Sequence, residues 1–117
     1  FTLLWQWPLA TLLGIVLVIF LSTRQTVPLT EPVSDERALT IIQMHCVACH
    51  AATPSHSGFK NPPAGLTLDT RETVILAAER VMAQAVLSKA MPLGNATGMT
   101  DTERAELGGW LRQQLRP

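Results

Sequence analysis

The residues with the greatest chemical potential stand together in the segment CVACH, at Cys46, Cys49 and His50. Two thiols three positions apart lie about one helical turn apart. That separation suits the two vinyl groups on one edge of a haem, and the next residue brings an imidazole beneath the iron. C-x-x-C followed directly by His is the attachment signature of a c-type haem. On that reading Cys46 and Cys49 form thioether bonds, His50 is an axial ligand, and the chemistry is one-electron transfer. A thioredoxin-like dithiol is the rival reading, but it needs a central sheet that this sequence has no strands to build. A structural zinc site needs four ligands, and only His45, His50 and His56 accompany the two cysteines.

An electron-transfer haem iron usually takes a second axial ligand, and methionine raises its reduction potential. Four methionines are available. Met44 sits inside the attachment turn and cannot swing to the opposite haem face, and Met82 falls within a helical pattern, where Met is a good filler of core gaps. Met91 and Met99 both fall in the loop before the last helix. Met91 is favoured as the distal ligand because Pro92 stiffens the chain beside it, whereas Met99 abuts a helix cap and has little slack. Met99, His56 or an open position remain as alternatives. His45 points away from His50 and is expected to face solvent or a haem propionate. A carbonyl of Pro62 or Pro63 is a candidate acceptor for the His50 Nδ1–H. Phe59, Leu66, Leu68, Leu93 and Trp110 are candidate walls for the ring.

The elements that must position these groups are helices. Ser34 reads as an N-cap with Asp35 and Glu36 in the first turn, and Ala38, Ile41, Ile42 and Cys46 follow at near-helical spacing. A first helix is therefore expected from about Asp35 to the CVACH segment. Residues 51–69 are dense in Pro, Gly, Ser and Asn and read as loop. Asp69 with Glu72 has the form of a capping box, opening a helix over 70–89, broken once, with Val74, Ala78, Val81 and Ala85 on one face. After the loop at 90–99, Thr100 and Glu103 form a second capping box, and Leu107, Trp110, Leu111 and Leu115 make the apolar face of the last helix. Gly108 and Gly109 within it suggest a close helix crossing. No strand pattern occurs, so the fold class is all-α.

The chain has 117 residues, 47% of them hydrophobic, with nine basic and nine acidic side chains. Balanced charge without a Lys/Arg cluster argues against nucleic acid as a partner. From Phe1 to Gln25 the only charge is Arg24. Residues 1–23 are long and apolar enough to cross a membrane as a helix, with Trp5 and Trp7 as interface anchors. A signal peptide is the competing interpretation, but there is no basic n-region and no clear cleavage site. The expected organisation is a transmembrane helix over 1–23, the last of several in a longer chain, a linker over 24–33 and a haem domain over 34–117. Arg24 alone would weakly place the C-terminal side in the cytoplasm. Haem attachment is instead expected on the oxidising side, which outweighs one charge. That leaves the haem domain on the non-cytoplasmic face of a membrane.

CVACH, the Met91–Pro92 pair and a capped last helix carrying Trp110 together resemble a class I mono-haem cytochrome c domain over about residues 34–116. The resemblance implies a cytochrome c-like fold, thioether cysteines at Cys46 and Cys49, iron ligands at His50 and Met91, and crossing first and last helices. Ala38 stands where that family usually has glycine at the crossing, and Gly108 and Gly109 could supply the clearance. More narrowly, HCVACHAATPSHSGF, PPAG, LDT and KAMPLGNATGMTDTER are similar to the C-terminal cytochrome domain of bacterial membrane-bound urate oxidases. That similarity implies a parent that oxidises urate to 5-hydroxyisourate in upstream membrane segments, with this region relaying electrons to a respiratory or soluble acceptor. A membrane-anchored subunit of a respiratory complex and a haem-based ligand sensor are the alternatives from other classes.

Overall fold

The computed structural model describes residues 3–23 and 31–117. The first helix, α1, runs over Leu3–Thr23. Pro8 lies in its second turn, where it removes one backbone donor from the ladder. The Thr11 hydroxyl donates to the Trp7 and Pro8 carbonyls there, at 3.1 and 3.0 Å. Every large apolar side chain described from Leu9 to Leu21 is more than half exposed, so the helix is apolar on all sides rather than along one stripe. Over the described residues no helix is long and apolar enough to cross a membrane. Trp7 is exposed, while the side chain of Trp5 and linker residues 24–30 lie outside the described residues.

The rest of the chain is helix and loop, with no strand among the described residues. Helix α2 spans Asp35–His45, and Ser34 caps it by accepting from the Arg37 N–H at 3.2 Å. Helices α3 (Arg71–Leu76) and α4 (Ala78–Val81) are separated at Ala77 and followed by a π-helical turn over Met82–Leu87. The expected single break in the middle helix is thus a break plus a change of pitch. Helix α5 covers Asp101–Leu115, with Thr100 and Glu103 in a reciprocal capping box. At α3 the cap is Thr70, which exchanges bonds with Thr73, and not Asp69 with Glu72. The Asp69 carboxylate is used elsewhere, accepting from the Ala52 N–H at 3.0 Å.

The core lies where α2, α5 and the α4–π segment meet. Ala38, Ile41, Ile42, Val74, Leu107, Trp110 and Leu111 are all but inaccessible, and each large one contributes roughly 1.5–3 kcal/mol by leaving water. Leu115 does not join them; it is the last residue of α5 and 43% exposed. The Trp110 indole donates to Asp35 Oδ1 at 2.8 Å, pinning the end of α5 to the start of α2. Arg71 reaches the other oxygen of Asp35 at 2.6 Å and Gln114 at 3.2 Å, and Arg37 pairs with Glu106 at 2.8 Å. The close approach at Gly108 is to the π turn, not to Ala38: a Cβ there would lie 2.8 Å from Val86 Cγ1.

Candidate haem-attachment site

Helix α2 ends because the chain after His45 turns back on itself. The N–H groups of Cys46 and Val47 both donate to the Ile42 carbonyl, and those of Cys49 and His50 both donate to the Cys46 carbonyl at 3.3 and 2.9 Å. This places both thiols and the imidazole within one turn at the end of a helix whose other face is core. The thiols are free and each is partly exposed. Burial pushes the Cys46 thiol up to about 11, with the positive charge of Arg104 pulling the other way. A thiol held protonated is poorly suited to be the attacking member of a redox dithiol.

His50 is the best-defined member of the set. Its Nδ1 lies 3.0 Å from the Leu66 carbonyl oxygen, and a carbonyl can only accept. Nδ1 therefore carries the proton, which leaves the Nε2 lone pair available to a metal, the arrangement that fixes tautomer and ring angle in metal-ligating histidines. The acceptor is Leu66 rather than Pro62 or Pro63. The prolines act one step back: Pro62 and Pro63 accept from the Gly65 and Leu66 N–H groups at 3.1 Å, and that turn aims the Leu66 carbonyl. The same strand of loop is tied down again where the Leu68 N–H donates to the His50 carbonyl at 2.6 Å.

Coverage by the chain itself separates the methionines. Met99 is 4% exposed and belongs to the core, so its thioether has no surface to offer a ligand. Met44 is 57% exposed beside the attachment turn, and Met82 lies in the π turn. Met91 is part-buried against the core. Its N–H donates to the Gln84 carbonyl at 2.9 Å and its own carbonyl accepts from Arg104 Nη1 at 2.7 Å. The same guanidinium donates to the Ala85 carbonyl and to Asn95 Oδ1, so it ties the Met91 loop to the π turn.

Two expectations about neighbouring residues are corrected. His45 faces neither solvent nor an open site; it is 7% exposed, with Nδ1 2.8 Å from Thr97 Oγ1 and Nε2 3.2 Å from Glu103 Oε2. The latter contact is off the line of a good hydrogen bond, and Nε2 has no other partner. Trp110 and Leu68 are enclosed by protein and are core residues rather than haem walls. His56 is exposed and its Nδ1 accepts from the Gly58 N–H at 3.0 Å, its ring tilted against Phe59. That bond occupies the lone pair His56 would otherwise bring to a metal.

These residues fit a covalently held haem by the chemistry of the donor set: two unpaired thiols, an imidazole with Nε2 free, and a part-buried thioether on a braced loop. They do not fit zinc, since among the described residues no group of three or more His, Cys, Asp or Glu could hold a metal ion. Sequence reasoning missed Arg104, although it stands three residues before Leu107 and seven before Leu111, on the apolar face of α5. No family model, no curated protein and no solved structure matches the chain.

Proposed function

We propose that residues 34–117 form a cytochrome c-like electron-transfer domain, carrying one haem bound to Cys46 and Cys49 with His50 and Met91 as iron ligands. The observation that carries the reading is the 3.0 Å contact from His50 Nδ1 to the Leu66 carbonyl, which orients an imidazole with a free Nε2 directly after the two thiols. Bound haem supplies reversible one-electron chemistry at iron. The protein's part is to hold the imidazole, brace the Met91 loop and keep water from one side of the ring. No nucleophile or paired carboxylate is required for that role.

Helix α1 anchors the domain to a membrane. At about 1.5 Å per residue, its 21 residues match a hydrocarbon core of roughly 30 Å, and its apolar side chains are exposed all round. The domain then lies on the periplasmic side of a bacterial inner membrane. The resemblance of the AMPLGNATGMT stretch to membrane-bound urate oxidases supports a finer version, in which upstream membrane segments of the same chain oxidise urate to 5-hydroxyisourate. Electrons pass through this haem to a respiratory or soluble acceptor.

The test is an optical titration of membranes containing the whole parent protein, air-oxidised and then given urate without oxygen. Growth of the reduced haem α band with urate is the expected result. A haem reduced by dithionite but silent to urate removes the urate-coupled version and leaves a respiratory electron carrier.

A further inference from the structure

Arginine is rarely buried without a carboxylate, because the guanidinium keeps its charge and must replace its hydration shell with other acceptors. Arg104 is 5% exposed, and among the described residues no carboxylate lies within ion-pair distance of it. Its donors go instead to the π turn and to the loop that carries Met91. Nη1 donates to the carbonyls of Ala85 and Met91, and Nη2 to Asn95 Oδ1 at 3.3 Å. Asn95 continues the clamp: its amide nitrogen donates to the Met99 carbonyl at 3.1 Å and its Oδ1 accepts from the Met99 N–H at 3.0 Å. This loop has little regular structure of its own. Lys89, Gly94, Asn95 and Gly98 all take left-handed backbone angles, and only a three-residue 3-10 turn over Leu93–Asn95 interrupts it.

We infer that Arg104 is a positioning residue, which from α5 fixes the main chain of Met91 and so holds its thioether in place as the iron ligand. The inference rests on the haem reading above. A leucine would fill the same space without the burden of a buried charge, but it could not bind three acceptors at once. The fork geometry of the guanidinium is what joins the π turn, Met91 and Asn95 in one unit.

The experiment uses the full chain made with haem-attachment machinery, in detergent, as wild type, Arg104→Lys, Arg104→Met and Leu111→Ala. Covalent haem in the wild type is first established by mass. If it is absent, the haem reading itself fails and no variant is needed. With haem present, the ferric far-red band of Met-ligated iron and the affinity for added imidazole, which displaces Met91, are measured. Arg104→Met is expected to lose most of the band and bind imidazole on the order of 10-fold more tightly, since losing buried hydrogen bonds to a charged donor is worth about one decade or more. Arg104→Lys keeps the charge but not the fork, and falls between. Leu111→Ala, a core truncation away from the clamp, leaves imidazole affinity unchanged. An Arg104→Met protein with wild-type band and imidazole affinity overturns the inference while leaving the haem intact. If Arg104→Met does not accumulate, Asn95→Ala opens the far end of the clamp. A rise in imidazole affinity supports the inference and no change overturns it.

Discussion

Replacing Gly108 by Ala sets two opposed effects against each other where α5 meets the π turn. The added Cβ would stand 2.8 Å from Val86 Cγ1, 3.6 Å from Cγ2 and 3.8 Å from Cβ. Carbon atoms in good contact lie about 3.5–4.0 Å apart, so only Cγ1 is in the way. Valine is stiff at χ1, and turning it away is not free. Overpacking of this kind costs about 1–3 kcal/mol, while Gly to Ala inside a helix gains about 1 kcal/mol. The net expectation is a loss of about 0–2 kcal/mol. In a Val86→Ala background the clash is gone, and the same substitution should stabilise by about 1 kcal/mol. A double-mutant cycle by urea unfolding, followed by far-UV circular dichroism on the full chain, therefore gives a coupling of about 1–3 kcal/mol. Gly108→Ala stabilising equally in both backgrounds would show that the helix and the turn do not touch there, and would refute the reasoning.

The Asp35 carboxyl is held below the usual carboxylate range, first by the Trp110 indole N–H and then by Arg71. Its folded pKa lies below its unfolded one, so this stabilisation is complete above the unfolded value, about pH 4, and drains away as pH falls through the folded value. Asp35→Asn should flatten that part of the acid-unfolding curve, and an unchanged curve counts against the Trp110 contact. Met99→Ala should cost about 2–5 kcal/mol as a core truncation yet keep the far-red band, whereas Met91→Ala should lose the band. A reversed pattern in the ferric spectra would exchange their roles. Cys46→Ala with Cys49→Ala should abolish haem staining on a denaturing gel, and residual staining would place the attachment elsewhere.

Helix ends were readable because caps are local: Ser34, Thr100 and Glu103 need only three or four neighbours to declare themselves. The cap at Thr70 was misplaced by one residue because Asp69 and Thr70 both suit the role, and the choice was made by Ala52, which engages Asp69 from a distant loop. The buried stripe of Val74, Ala78, Val81 and Ala85 followed from periodicity, but the π turn did not, since one extra residue per turn leaves no mark in composition. Within the site, Cys46, Cys49 and His50 are contiguous and speak for themselves. What orients His50 is a carbonyl, and side-chain types say little about which of several carbonyls a loop will present. The place of Arg104 on the apolar stripe of α5, three residues before Leu107, was legible, but its acceptors at Ala85 and Met91 are backbone atoms brought together only by the tertiary fold.

The central claim, a haem held by Cys46, Cys49 and His50, is tested most directly by mass analysis of the peptide containing residues 46–50, from the chain produced with c-type attachment machinery. The account predicts one haem added across the two cysteines, with neither thiol open to alkylation. Two alkylatable thiols and an unmodified peptide mass would contradict it.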